Sequence, residues 1–415
     1  MPEGETLPVF SAKNLDAGYN GKATVAGINI SAKKGNVLCL IGPNGAGKTT
    51  ILRTFAGLLP PVRGEALLSG ENIAAIKAAE RARRLAVVLT EQPFSSLTSA
   101  YEIVAAGRTP YTNFFGALNE KDHKIARGTL ETVGAAELAD RDFLSLSDGE
   151  KQKVMIARAL AQQPEIIILD EPTSHLDIRH KLEVMEIVNH LARETGLVVI
   201  LALHDIDLAL KYCGFVLFVK DGRILAEGKP EEIVTTDEDT VSGKLNEPNE
   251  IERIFSLENA SFDAVMGGVE AHNTNPARIF VVPGGGRGAK IFRLFSRRSI
   301  GIAAGVLHRG DLDHRIARLM RLPLVESEAF LSIKQSTLDH AFDLMRGCTV
   351  VIDSGFPVGE TNRGNIELLR RALDEGMRCY TFRKHAEAEV LFGKEARKFC
   401  YAGGISDLEG IIDGP

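Results

Sequence analysis

Gly42-Pro43-Asn44-Gly45-Ala46-Gly47-Lys48-Thr49-Thr50 fits the pattern G-x-x-x-x-G-K-[ST], and its neighbours supply the strand–loop–helix setting in which that pattern works. Residues 36–41 form an apolar run with the character of a strand, and residues 51–55 read as the helix that follows. The glycines let successive backbone N–H groups turn inward around a phosphate, and the helix adds the positive end of its dipole. Lys48 is placed to reach the β- and γ-phosphates of a nucleotide, and the Thr49 hydroxyl to hold Mg²⁺. Gly42, Pro43, Asn44, Gly45, Ala46, Gly47, Lys48, Thr49 and Thr50 are therefore candidate ATP contacts.

Three further stretches extend this chemistry. Ile166-Ile167-Ile168-Leu169-Asp170-Glu171 is a buried strand ending in two carboxylates. Asp170 is suited to Mg²⁺ through its water shell, and Glu171 to polarising an attacking water as general base. A strand that simply ends in solvated acids is the competing reading. Leu146-Ser147-Asp148-Gly149-Glu150 precedes a helix; Ser147 is either a helix cap or, with Gly149 and the first amides, a γ-phosphate contact. His204 follows the apolar run 198–203 and precedes Asp205, where it either meets the γ-phosphate and the water or caps the next segment.

Taken together and in this order, these stretches resemble the ATP-binding-cassette family of ATPases over roughly residues 7–235. The resemblance makes 42–49 the Walker A loop, 146–150 (with Ser147, Asp148, Gly149 and Glu150) the signature, Asp170-Glu171 the end of Walker B, Ser174-His175-Leu176-Asp177 the D-loop and His204 the switch histidine. It places Tyr19 where the family stacks an aromatic ring on adenine. It also implies ATP and Mg²⁺ as cofactors, with Thr49, Asp170 and a Q-loop oxygen donor around the metal. Glu91 and Gln92 both compete for that last role, since register after residues 87–89 puts Glu91 at the position and Gln92 next to it. Asp148 and Glu150 depart from the Gly and Gln of the commonest signature, and His175 replaces the usual small D-loop residue. In the family the signature completes a site on the opposite chain, which implies a second copy of this one.

Gly107-Arg108-Thr109-Pro110-Tyr111, Ala161-Gln162-Gln163-Pro164 and the run 204–209 with Tyr212-Cys213 resemble one importer group within the family. That group energises uptake of ferric siderophores, haem or cobalamin, with the siderophore the first expectation and cobalamin the second. Its partners would be polytopic membrane permease subunits and, indirectly, a substrate-binding protein. A soluble cassette ATPase of translation or DNA repair is the rival. The chain has neither the second cassette of the translation types nor the coiled-coil insertion of the repair types.

Composition agrees with an ordinary globular chain. Apolar residues make up 44% and charged residues 25% of 415. The net charge of −6 argues against a nucleic-acid partner. Five scattered cysteines without metal-ligand spacing read as reduced thiols. The acidic start, Met1-Pro2-Glu3-Gly4-Glu5, lacks signal-peptide character, and no apolar stretch reaches the ~20 residues that span a bilayer. The expected place is the cytoplasmic face of the cell membrane, held there by partners.

The expected fold is α/β throughout. Residues 1–258 would form an ABC-type P-loop nucleotide-binding domain with a RecA-like core, an antiparallel β subdomain and a helical subdomain. The polar, acidic residues 235–250 read as a linker. Residues 259–415 would form a doubly wound, Rossmann-like α/β domain with strands at 279–282, 300–307, 349–352 and 378–382. It loosely resembles extensions attached to some importers of the group; a regulatory, ligand-binding role is the first reading and an enzyme modifying the imported cofactor the second. In Pro283-Gly284-Gly285-Gly286-Arg287-Gly288-Ala289, the residues Gly284, Gly286 and Ala289 satisfy G-x-G-x-x-[GA]. Gly284, Gly285, Gly286 and Arg287 are a possible ligand site, with Lys290, Arg293 and Arg297 at helical spacing beside it; a glycine-rich turn and a solvated helix face are the plain alternatives.

Overall fold

The computed structural model describes residues 8–89, 98–113, 116–233, 250–255, 257–263, 268–327, 333–359 and 362–411. The chain divides into two compact units, Met1–Ser256 and Leu257–Pro415.

The first unit is built on a ten-stranded sheet of order β5-β4-β1-β2-β10-β9-β3-β8-β7-β6. The strands are β1 (Phe10–Tyr19), β2 (Lys22–Ala32), β3 (Val37–Ile41), β4 (Arg63–Leu68), β5 (Glu71–Asn72), β6 (Leu85–Val88), β7 (Ile166–Asp170), β8 (Val198–Leu203), β9 (Phe215–Lys220) and β10 (Arg223–Gly228). β9, β3, β8, β7 and β6 run parallel. Every residue of β3, β7 and β8 is buried, which is why their sequences are unbroken apolar runs rather than alternating ones. β1 pairs antiparallel with β2 and β4, and residues 28–32 of β2 alternate buried and exposed positions. Phe10 of β1 meets Phe55 at the end of the phosphate-loop helix, ring centroids 4.8 Å apart. Helices Ala100–Ala105, Glu120–Thr132 and Asp148–Ala161 make the helical part, each opened by a reciprocal capping box, from Ser99, Asn119 and Ser147 respectively.

Register places the chemistry. Ile41 pairs with Leu203 and Asp170 with Ala202, so the residues that follow β3, β7 and β8 leave the sheet at one carboxyl edge.

The second unit holds a six-stranded sheet, all parallel, of order β15-β14-β13-β16-β17-β18. Its strands are β13 (Ala277–Val282), β14 (Gly301–His308), β15 (Leu324–Ser327), β16 (Val350–Asp353), β17 (Arg378–Thr381) and β18 (Cys400–Tyr401); an antiparallel hairpin of β11 (Ala260–Asp263) and β12 (Gly268–Ala271) precedes them. The chain starts at the centre, winds out to β15, then returns to β16 beside β13. That reversal is the crevice of doubly wound folds. Separate apolar clusters fill the two faces, one around Phe280, Phe342 and Phe356 and the other around Phe292, Phe295 and Ile352.

Candidate functional site

The phosphate loop joins β3 to the helix Lys48–Phe55. Gly47 holds φ 101°, and a Cβ there would stand 2.6 Å from Cγ2 of Val25, so only glycine fits. The Lys48 ammonium donates to the carbonyls of Gly42 (2.8 Å) and Pro43 (3.2 Å) within its own loop. Burial pushes its pKa down, opposed by the charges of Glu171 and Asp170. Thr49 Oγ1 donates to Asp170 Oδ1 at 3.2 Å. This hydroxyl–carboxylate pair is the hard-oxygen donor set that Mg²⁺ takes, so the residues fit the metal. Desolvation raises the Asp170 pKa, the Thr49 bond lowering it in part.

Glu171 holds φ 51°, a left-handed conformation sparse for a side chain of its size. The turn aims its carboxylate along the sheet edge, where Oε1 lies 2.5 Å from Nε2 of His204 and Oε2 accepts from Ser174 Oγ at 3.1 Å. Lys181 bonds the neighbouring Asp205 at 2.6 Å. The sheet edge therefore brings Lys48, Thr49, Asp170, Glu171 and His204 together from three adjacent strands. Glu91 and Gln92 lie outside the described residues. Tyr19 sits at the tip of β1 and is 44% exposed.

At the helix Asp148–Ala161, Ser147 Oγ donates to Glu150 Oε2 at 2.9 Å, and the same carboxylate accepts the Ser147 N–H at 2.8 Å. These Ser147 bonds and Arg141 hold the Glu150 pKa below the ordinary value. Glu150 is thus the second half of a capping box. Asp177 caps the helix Ile178–Thr195, its Oδ1 accepting from the His180 amide and lying 2.9 Å from the His180 ring Nδ1. His180 then packs on Gly149, and Lys153 pairs with Glu183 at 2.7 Å, so two contacts tie this helix to the helix Asp148–Ala161. Sequence reasoning missed His180: the contact spans separate elements, and no local signal marks it.

Two of the stretches singled out in the sequence pack on each other. Buried Arg108 bonds Asp122 at 2.9 Å, the Ala161 carbonyl at 2.7 Å and Gln163 Oε1 at 3.1 Å. Tyr111 bonds the Gln162 carbonyl at 2.8 Å beneath the Arg108 guanidinium. A cavity of about 750 Å³ beside Asn36, His190 and Cys213 belongs to the opposite edge of the sheet from the phosphate loop.

In the second unit, the loop Gly284-Gly285-Gly286-Arg287 follows β13 as expected, but the amides of Gly284 and Gly285 are taken. Gly284, Gly288 and Ala289 donate to the Asp313 carboxylate at 2.8–2.9 Å, and Gly285 to Asp311 at 2.9 Å. Asp313 is fully buried, and desolvation raises its pKa against those backbone bonds. The cradle read from the glycines is therefore filled by the protein's own anion, and Arg287 turns to the Gly355 carbonyl. The signal for this was present as Asp311-Leu312-Asp313 at a helix start, though nothing in the sequence shows that it reaches across to another helix. Asp353, Thr381 and Arg383 form a buried network at the ends of β16 and β17.

Among the described residues no helix is long and apolar enough to cross a membrane. A family profile described as ABC transporter matches residues 25–174, and one described as the MJ0874 family matches residues 302–406. An uncharacterised ABC transporter ATP-binding protein of Methanocaldococcus jannaschii is 40% identical over 302 residues, 72% of this chain and all of that protein. The cobalamin import ATP-binding protein BtuD of Halobacterium salinarum is 32% identical over 326 residues, 78% of this chain and 80% of its own. The iron(3+)-hydroxamate import ATP-binding protein FhuC of Bacillus subtilis is 36% identical over 228 residues, 55% of this chain and 85% of its own.

Proposed function

The chain belongs to the ATP-hydrolysing subunits of ABC transporters, and on that premise we propose that two copies of it drive uptake of a ferric siderophore or of cobalamin through separate polytopic membrane subunits. The observation that carries the ATPase reading is the convergence of Lys48, the Thr49–Asp170 pair and the Glu171–His204 pair at one sheet edge. Lys48 exchanges its loop carbonyls for the β- and γ-phosphates. Glu171 takes the proton of a water as its oxygen bonds the γ-phosphorus and the bond to the β-phosphate oxygen breaks. His204 fixes the Glu171 carboxylate by its 2.5 Å contact. Bound Mg²⁺, held by Thr49 and Asp170, would offset charge on the phosphates; Glu91 or Gln92 is a further oxygen donor for it.

The pairing of two copies rests on the family pattern in which Ser147, Asp148, Gly149 and Glu150 of one chain, with Asp177, face the phosphate loop of the other. Exposed Tyr19 is suited to stacking on adenine. Siderophore uptake is the first choice of cargo and cobalamin the second, because the relatives named for those cargos align over most of their own lengths; haem is a third member of the same cargo group. The chain would act at the cytoplasmic face of the membrane, reaching a substrate-binding protein only through the membrane subunits. The second unit reads as an appended regulatory domain. Purification of the tagged chain from its own membranes tests the reading. Recovery of polytopic subunits and ATPase activity stimulated by loaded binding protein are the expected results. Recovery with ribosomes or DNA, without such subunits, would make it a soluble cassette ATPase instead.

A further inference from the structure

The cations that follow the glycine loop do not serve it. Lys290, Arg293 and Arg297 line a separate groove of about 410 Å³, closed by Glu270 of β12, Met320 and Ile405. Their helix, Gly288–Arg297, buries Ile291, Phe292, Leu294 and Phe295, so all three cations lie on its outer face. Arg293 is pinned, its Nε 3.0 and 3.3 Å from the two oxygens of Glu270. Lys290 and Arg297 are exposed and have no carboxylate partner among the described residues. They are two turns apart, about 10 Å along the axis, which two long side chains close readily on one group. The groove thus keeps an excess of two positive charges on a chain whose net charge is −6. No acid on the helix relieves their repulsion.

We propose that this groove binds a phosphate-bearing small molecule. Lys290 and Arg297 grip the phosphate, Lys as a point charge and Arg as a planar fork. Ala271 and Ile405 supply an apolar wall for the remainder of the ligand. The volume falls in the range of about 300–1,000 Å³ usual for small-molecule sites. The helix N-terminus is not the anion site, because Asp313 already occupies its amides. The proposal does not depend on the cargo or on transport.

The test uses the full chain carrying Lys48→Ala, which removes the main phosphate contact of the ATP site. Inorganic pyrophosphate is titrated by calorimetry, and vesicles of phosphatidylglycerol in phosphatidylcholine are assayed by flotation. Lys290→Glu/Arg297→Glu is compared with the control Lys384→Glu/Lys394→Glu, which changes the net charge equally at exposed sites of the same unit, and unfolding curves confirm that both fold. The expected result is pyrophosphate binding that falls at least tenfold in the groove variant and stays within twofold in the control. Vesicle flotation with the same pattern, and no pyrophosphate binding, would also uphold the phosphate site and make its source a lipid headgroup. Equal losses in both variants, or no binding of either probe, would overturn it.

Discussion

The imidazole of His180 lies against the backbone of Gly149: a Cβ built on that glycine would stand 2.4 Å from the ring's Cδ2. The same ring is held through Nδ1 by Asp177, 2.9 Å away. Asp177, His180 and Gly149 are therefore in series.

Gly149→Ala should consequently displace the signature by forcing the ring aside, and a displacement of about 1 Å in a reacting site costs on the order of 10²-fold in rate. If the collision with His180 is the cause, Gly149→Ala/His180→Ala should turn over ATP within a few-fold of His180→Ala alone. Steady-state ATPase assays on the three variants form the cycle. A double variant as slow as Gly149→Ala would show that the methyl obstructs nucleotide rather than histidine.

Glu171→Gln should retain ATP binding and lower turnover by about 10²–10⁴-fold, the range for losing a general base. With hydrolysis blocked, ATP should hold two chains together through a size-exclusion column, whereas Lys48→Ala should lose tight nucleotide binding and stay monomeric. Near-normal hydrolysis by the glutamine variant would remove Glu171 from the mechanism.

The buried ammonium of Lys48 gives a pH signature with opposite signs for folding and for binding. Its folded pKa is depressed below 10.5 by burial. Between that depressed value and 10.5 the unfolded chain holds the proton more tightly, so this group makes stability rise as pH increases through the window. ATP does the reverse, because its phosphates favour the charged form and binding takes up a proton. Affinity should fall with rising pH, by up to about tenfold per unit. Calorimetry in two buffers of different ionisation enthalpy counts the proton, and unfolding of wild type against Lys48→Met isolates the stability effect. Proton release on ATP binding in this range would contradict the account.

These dependences explain what the sequence could carry. β3, β7 and β8 are buried on both faces, so each is an unbroken apolar run, and the reactive residues sit at the run's end where they can be counted off. β15 and β18 were illegible for the converse reason. Leu324–Ser327 alternates buried and half-buried positions, and β18 is two residues, Cys400–Tyr401, added to an edge. Contacts between elements were hidden altogether. The spacing of Lys290, Arg293 and Arg297 revealed a common helix face but not that Glu270 lies opposite it. The glycines after β13 revealed a cradle but not that an aspartate, 24–29 residues further along the chain, fills it.

That aspartate yields the last prediction. Asp313 accepts from Gly284, Gly288 and Ala289 while fully buried, so Asp313→Ala leaves three amides facing an apolar methyl. Each unsatisfied buried donor costs about 1–3 kcal/mol. The raised pKa of Asp313 shows that burying its own charge already offsets part of the gain. A net loss of about 2–4 kcal/mol is expected, read as a lower melting temperature of the second unit's transition. The vacated position is an anion nest at a helix N-terminus. Sulfate at tens of millimolar should therefore recover part of the loss in Asp313→Ala beyond any effect it has on wild type. The pH response separates the two proteins further. The folded pKa of Asp313 lies above its unfolded value, so the stability of wild type should fall as pH rises through that window, and the variant should lose this component. Melting curves of both proteins at several pH values, with sulfate and with chloride at matched ionic strength, decide the matter. Equal sulfate effects on the two would mean that these amides are satisfied some other way and that Asp313 is not the anion of the glycine loop.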